Sequence, residues 1–99
     1  MELHPEVAEL AQLLRKIEGL LAKNGSARWS SSISRSRFAI ENSDAWGLNT
    51  FLGMFGGMGS LNDLVLTRDG QALPAENADL QALLEEAWIL GKRLQRETR

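Results

Sequence analysis

The chain has 99 residues, 43% of them hydrophobic and 24% charged, with a formal net charge of -2. This length suits one domain with a modest core, and the composition argues against wholesale disorder. The weak, mixed charge argues against a nucleic-acid or anionic-membrane partner, because both require a basic excess. The absence of cysteine excludes disulfides and thiol chemistry, and a single histidine, His4, argues against a zinc site within one chain.

The sequence contains no targeting or membrane signal. No apolar run approaches about 18 residues, and the first residues lack the basic and apolar regions of a signal peptide. We therefore expect one domain over residues 1–99, located in the cytoplasm.

Residues 5–24 carry the clearest helical pattern. Pro5 suits the first turn of a helix, and Asn24 with Gly25 is a typical stop. The stripe lasts only about two to three heptads and is as broad as a globular core face, which favours packing in a bundle over a coiled coil. Its members lie three or four residues apart: Val7, Leu10, Leu14, Ile17 and Leu21.

Apolar spacing predicts a second helix over residues 28–42, although five serines at positions 30–36 lower its helix propensity. Three arginines lie among these serines: Arg28, Arg35 and Arg37. They indicate either an anion-binding face or a solvated face whose arginines pair with acids such as Glu41 and Asp44. We favour ion pairing.

A third, short helix is predicted after residues 42–44, any of which can cap it. Gly47 and Gly53 each cost this helix ~1 kcal/mol relative to alanine. Glycine at these positions therefore indicates close approach by another backbone.

The segment before the last helix has two predicted forms. Residues 64–67 and 71–73 can pair as a small hairpin around Asp69 and Gly70, or residues 60–63 can begin one helical turn. Pro74 ends either form. A fourth helix follows over residues 76–96, opened by Glu76 or Asn77.

These elements predict a mainly all-α fold: a small four-helix domain with a glycine-rich loop and a possible short β-hairpin near 64–73. The two outer helices have the broadest apolar stripes, so we expect them to pack antiparallel in a bundle.

The glycine-rich loop is the most strained part of the sequence. Residues 56–59 cannot form a regular helix at reasonable cost, and they match neither a Walker A loop nor a dinucleotide-binding fingerprint. The loop is either a corner packed by Phe51, Met54, Phe55 and Met58, or a site that presents its amides to a ligand. We favour the corner, with Asn62 and Asp63 half-buried and bonded to the loop. The candidate ligand or interaction residues are Gly56, Gly57, Gly59, Ser60, Asn62, Asp63, Trp46 and Arg37.

Catalytic constellations are absent from the sequence. It has no nucleophile–base set, and the consecutive acids Glu85 and Glu86 diverge by ~100° on a helix. We expect no enzyme activity, no metal and no cofactor. Trp29, Trp46 and Trp88 are expected in or near the core, and an exposed tryptophan would be the leading interface anchor.

The string FGGMGSLND at residues 55–63 resembles a family of small, functionally uncharacterised bacterial proteins. These share a Trp-Ser start to a middle helix, here Trp29 and Ser30, then a segment like residues 42–52 and a final helix rich in leucine and alanine. The resemblance spans residues 29–94. It implies no activity, cofactor or partner.

The function we expect is that of a non-catalytic protein–protein interaction or accessory protein, of immunity type, with itself or another chain as partner. The alternative is a small-ligand or anion-binding domain that uses the 56–63 loop with Arg35 or Arg37.

Overall fold

A computed structural model of the protein describes residues 4–56 and 59–97. Four α-helices lie within these residues: α1 (Pro5–Lys23), α2 (Ala27–Glu41), α3 (Ala45–Leu52) and α4 (Pro74–Glu97). Between α3 and α4 the chain forms a short 3-10 turn (Leu61–Asp63) and two strands, β1 (Thr67–Arg68) and β2 (Gln71–Ala72). The predicted mainly all-α fold is confirmed.

The helix boundaries follow local capping chemistry. The Nδ1 atom of His4 accepts the backbone amide of Glu6 at the start of α1, 3.2 Å away. At its end, Asn24 donates its side-chain amide to the carbonyl of Leu20, and Gly25 adopts a positive φ of 85°. Asp44 caps α3 by accepting the amide of Trp46 at 2.9 Å. Asn24 with Gly25 therefore ends α1, and Asp44 begins α3, as the sequence predicted.

The start of α4 differs from the prediction. The helix begins at Pro74 and not at Glu76 or Asn77. Proline fits here because the first N–H groups of a helix have no partner within it. The side chain of Asn77 bonds elsewhere: it accepts the amide of Leu66 and donates to the carbonyl of the same residue.

Both predicted forms of the segment before α4 are present, because they involve different residues. The 3-10 turn covers Leu61–Asp63, and β1 pairs antiparallel with β2 so that Thr67 faces Ala72. The first strand begins at Thr67 and not at residue 64 as predicted, so the hairpin is shorter than expected. Asp69 and Gly70 both have positive φ, as a tight two-residue hairpin turn requires.

Helices α1 and α4 pack antiparallel, as predicted. Arg93, near the end of α4, pairs with Glu6 in the first turn of α1 at 2.8 Å. At the opposite end, Asp79 and Leu83 of α4 line a shallow groove together with Lys23 of α1.

One apolar core joins all four helices and the segment between α3 and α4. Four of its members belong to the stripe predicted for the first helix, and the 3-10 turn and the hairpin approach each add a leucine. Its fully buried large side chains are Leu10, Leu14, Ile17, Leu21, Ile33, Phe51, Leu61, Leu66, Leu80 and Leu84.

The two glycines of the third helix have different environments. Gly47 packs against the backbone of α2, as predicted, with Ser36 and Ile40 as neighbours. Gly53 instead caps the end of α3, and a Cβ there would meet only carbonyl oxygens of its own helix among the described residues. The expected close approach at Gly53 is wrong.

Candidate functional site

Two surface grooves contain the candidate residues. The first, the loop groove, lies between the glycine-rich loop and α4 and has a volume of about 600 Å³. The second, the aromatic groove, lies between α2 and the start of α3 and has a volume of about 520 Å³. The loop groove is lined by Phe55, Gly56, Asn62, Glu85, Trp88 and Lys92, among others. The aromatic groove is lined by Arg35, Arg37, Phe38, Asn42, Asp44 and Trp46, among others.

The loop is held closed by its own polar groups. The Oδ1 atom of Asn62 accepts the backbone amide of Gly56 at 3.1 Å and also accepts the hydroxyl of Ser60. The amide of Leu61 donates to the carbonyl of Met54 at 2.8 Å. Gly56 and Gly59 have φ values of 88° and 78°, which only glycine adopts at little cost. The Gly56 amide is therefore engaged within the loop.

Asn62 and Asp63 are exposed, so their expected half-burial is wrong. The short turn directs Leu61 into the core, where it is fully buried, and the two residues that follow face solvent. Phe51 is buried under the loop, with Met54 and Phe55 half-buried beside it. Met58, the fourth expected anchor, lies outside the described residues.

Aromatic rings form one wall of the loop groove. Phe55 makes a perpendicular contact with Phe51, with ring centroids 5.2 Å apart, and lies 6.4 Å from Trp88. The ammonium group of Lys92 sits 5.6 Å from the Trp88 ring centroid. This arrangement can contact an apolar body on the rings and a negative charge at Lys92.

Phe38 and Trp46 are exposed large hydrophobic side chains of the aromatic groove, with 67% and 54% of their surface accessible. Trp46 was expected in or near the core, which is wrong. Its neighbour Gly47 is the residue that faces α2, so the Trp46 side chain points away from the core. Of the other two tryptophans, Trp29 is half-buried against the core and Trp88 is 36% exposed.

The arginines of α2 have different roles. Arg37 donates to the carboxylates of Glu18 and Glu41, and Arg15 also pairs with Glu41 at 2.8 Å. The hydrogen bond to Glu18 raises the pKa of Arg37. Partial burial opposes ionisation of Glu41, but hydrogen bonding to Arg15 and the charge of Arg37 together hold its pKa below the ordinary value. The predicted ion pairing is thus correct for Arg37.

Arg35 and Asp44, by contrast, take part in no ion pair within residues 4–56 and 59–97. Arg35 is exposed on α2. Asp44 uses Oδ1 to cap α3. Both side chains line the aromatic groove and retain capacity for a partner.

Four of the candidate residues from the sequence divide between the two grooves. Gly56 and Asn62 line the loop groove, with Ser60 bonded to Asn62. Trp46 and Arg37 line the aromatic groove. Gly59 and Asp63 are exposed beside the loop, and Gly57 lies outside the described residues.

Sequence reasoning missed three contributors: Phe38, Trp88 and Lys92. Phe38 and Trp88 do not lie on the main apolar stripe of their helices. This position outside the core-facing stripe was the sequence feature that could have indicated their exposure. Lys92 carried no signal, because only the packing of the loop against α4 places it beside Phe55 and Asn62.

Comparison with known proteins finds a family that matches the central part of the chain. A family described as a domain of unknown function (DUF6966) matches residues 22–74. The chain belongs to this family. The match runs from the end of α1 through the hairpin to Pro74, so it includes the glycine-rich loop and the aromatic groove but not the rest of α4. No curated protein and no solved structure matches the chain.

No three histidine or acidic side chains come close enough together to hold a metal ion in the part of the chain that the structure describes. None of the helices in the described ranges combines the length and apolarity needed to cross a bilayer.

Proposed function

We propose that this DUF6966 protein is a non-catalytic interaction module that binds a protein partner through the aromatic groove. The observation that carries the proposal is that Phe38 and Trp46 are both exposed and both line the same groove. Burying a large apolar side chain contributes about 1.5–3 kcal/mol, and tryptophan is enriched among the residues that dominate binding energy. We further propose an accessory, immunity-type role in the cytoplasm, and the resemblance of residues 55–63 to bacterial proteins supports a bacterial source.

The non-catalytic part of the proposal is supported by how the reactive groups are engaged. His4 accepts the Glu6 amide at the start of α1. The carboxylates of Glu18 and Glu41 are paired with Arg37. These groups stabilise helix ends and helix packing, and they do not converge in either groove.

Photo-crosslinking in cells tests the proposed surface. A photoreactive phenylalanine analogue at position 38 or 46 should form a discrete adduct with a protein upon irradiation. The same analogue at Gln12, which is exposed on α1 and lines neither groove, is the matched control. Absence of a protein adduct at positions 38 and 46, with the variants folded, would contradict the proposal.

The alternative function is binding of a small organic anion in the loop groove. The contact of Lys92 with Trp88, next to Phe55, favours it. The groove offers rings for an apolar body and an ammonium for a negative charge, whereas the Gly56 amide is already bonded to Asn62.

The aromatic sulfonate anilinonaphthalene sulfonate is a suitable probe for this alternative. Lys92→Gln should weaken its binding several-fold, while Lys23→Gln, at an exposed position on α1, should not. Equal binding by the wild type, Lys92→Gln and Trp88→Ala proteins would exclude the loop groove as the site.

A further inference from the structure

We infer that the partner of the aromatic groove is a second copy of this chain. The two copies pack groove to groove about a two-fold axis, and Arg35 of each copy pairs with Asp44 of the other. This inference rests on the proposed function and gives its partner.

The charges of the groove lie at opposite ends of one helical face. Arg35, Phe38 and Asn42 are spaced at three and four residues, so they lie on the same side of α2. Arg35 and Asn42 are about 10 Å apart along the axis, at about 1.5 Å per residue. Asp44 lies at the end of this helix, because its backbone amide donates to the carbonyl of Ala39 at 2.9 Å. The groove therefore runs from a positive end, past Phe38, to a negative end.

A two-fold axis satisfies this arrangement. Rotation about an axis near Phe38 exchanges the two ends, so each positive end meets the negative end of the other copy. One such contact forms two ion pairs at once. A different protein would have to supply both complementary charges separately, whereas a second copy carries them already.

The side chains required for these pairs are available. Asp44 uses Oδ1 to accept the Trp46 amide, which leaves its second carboxylate oxygen for a guanidinium group. Arg37 is held by Glu18 and Glu41, so Arg35 is the arginine of this groove without an ion pair in the described ranges. The net charge of -2 per chain opposes self-association only weakly.

The shape of the groove is also suited to self-pairing. The same face presents protruding rings, Phe38 and Trp46, and a concavity of about 520 Å³. Aromatic rings pack favourably at centroid separations of 4.5–7 Å in offset or perpendicular arrangements. A ring of one copy can therefore enter the groove of the other, and the two-fold axis repeats the contact.

Charge-reversal variants, with dimer formation measured by analytical ultracentrifugation, test the inference. The wild type should sediment as a dimer of the 11.0 kDa chain. Arg35→Glu and Asp44→Lys should each raise the dimer dissociation constant about tenfold or more, because each homodimer then places like charges together. An equimolar mixture of the two variants should recover the dimer, since both cross-pairs are again attractive.

Two controls separate this effect from loss of folding. Asp44→Asn retains the helix cap and removes only the charge, so it should weaken the dimer while the circular dichroism spectrum stays unchanged. Arg28→Glu, at an exposed position of α2 outside the groove, should leave the dimer intact.

The outcomes distinguish the inference from the proposed function. A wild-type protein that stays monomeric at high micromolar concentration overturns the inference, as does a mixture of Arg35→Glu and Asp44→Lys that does not recover the dimer. If crosslinking from position 38 then captures a different protein, the proposed interaction function stands and only the self-pairing fails.

Discussion

Gly47 of α3 lies directly against Ser36 of α2. A Cβ atom on Gly47 would be 2.5 Å from the Ser36 carbonyl oxygen and 2.8 Å from the Ile40 backbone nitrogen. This contact brings the two helix backbones together, and Trp46 and Phe38 both line the groove between these helices. The aromatic groove therefore depends on a glycine that does not line it.

Gly47→Ala should destabilise the protein. The added methyl group meets backbone atoms that cannot rotate away, so α3 must shift from α2, and overpacking of this kind costs about 1–3 kcal/mol. This loss exceeds the ~1 kcal/mol that alanine gains in helix propensity. Urea unfolding monitored by circular dichroism measures the change.

Gly19→Ala is the matched control. Gly19 also lies within a helix, but a Cβ atom there has nothing within 4 Å. Alanine should stabilise the protein by about 0.5–1 kcal/mol at this position. Equal effects of the two substitutions would show that the α2–α3 crossing is not close.

Ser36→Ala should leave stability unchanged or raise it. Ser36 is fully buried, and its Oγ atom has no hydrogen-bond partner among the described residues. Removing a buried, unpaired hydroxyl avoids a desolvation cost of about 1–3 kcal/mol. Ser30→Ala is the control, because the Ser30 hydroxyl donates to the carbonyl of Glu18 at 3.0 Å, and its loss should destabilise by about 1 kcal/mol. Thermal unfolding of both variants gives the comparison.

Asn77→Ala should destabilise the protein by about 2 kcal/mol. The side chain accepts the Leu66 amide at 2.7 Å and donates to the Leu66 carbonyl at 3.0 Å, so it holds a buried leucine of the hairpin approach against α4. Asn77→Asp keeps the acceptor for the Leu66 amide but places a carboxylate oxygen against the Leu66 carbonyl, so it should also destabilise the protein. If denaturant unfolding shows no change in the free energy of unfolding for Asn77→Ala, Leu66 is held by apolar packing alone.

The ion pairs of Glu41 should make stability depend on pH in the acid range. Because the folded pKa of Glu41 is lowered, its contribution is complete above the unfolded value of about 4.3 and is lost as the pH falls through the folded value. Glu41→Gln should therefore cost about 1 kcal/mol at neutral pH, and this difference from the wild type should shrink below pH ~4.

Denaturant unfolding of both proteins at neutral and acid pH checks this dependence. Glu86→Gln, at an exposed position on α4, should change stability little at neutral pH. If the difference in unfolding free energy between Glu41→Gln and the wild type is the same at acid pH, the effect comes from packing and not from charge.

Asn62→Ala should loosen the glycine-rich loop without unfolding the protein. It removes the acceptor of the Gly56 amide and of the Ser60 hydroxyl, both in exposed positions. The Gly56 amide should then exchange with solvent faster, by about tenfold if the lost bond is worth about 1.4 kcal/mol. Unchanged exchange by NMR would indicate that apolar packing around Phe51 closes the loop.

Much of the fold was readable from the sequence because its signals are local. The 3.6-residue period marked the core faces of α1 and α4. Asp44 and Asn24 marked helix ends through hydrogen bonds to nearby backbone groups, and Gly25 did so through its positive φ. The hairpin turn at Asp69 and Gly70 was predicted for the same reason, since backbone conformation there depends on two residues.

Only the tertiary structure decided which polar and aromatic residues meet. Periodicity shows which residues share a helix face, but whether that face is covered depends on another element. Trp46 is exposed because Gly47 is the residue that contacts α2, and Arg37 differs from Arg35 because Glu18 of α1 lies beside it. Gly56 and Asn62 thus line one groove and Trp46 and Arg37 the other, since each groove forms where separate elements approach and not where residues adjoin in the chain.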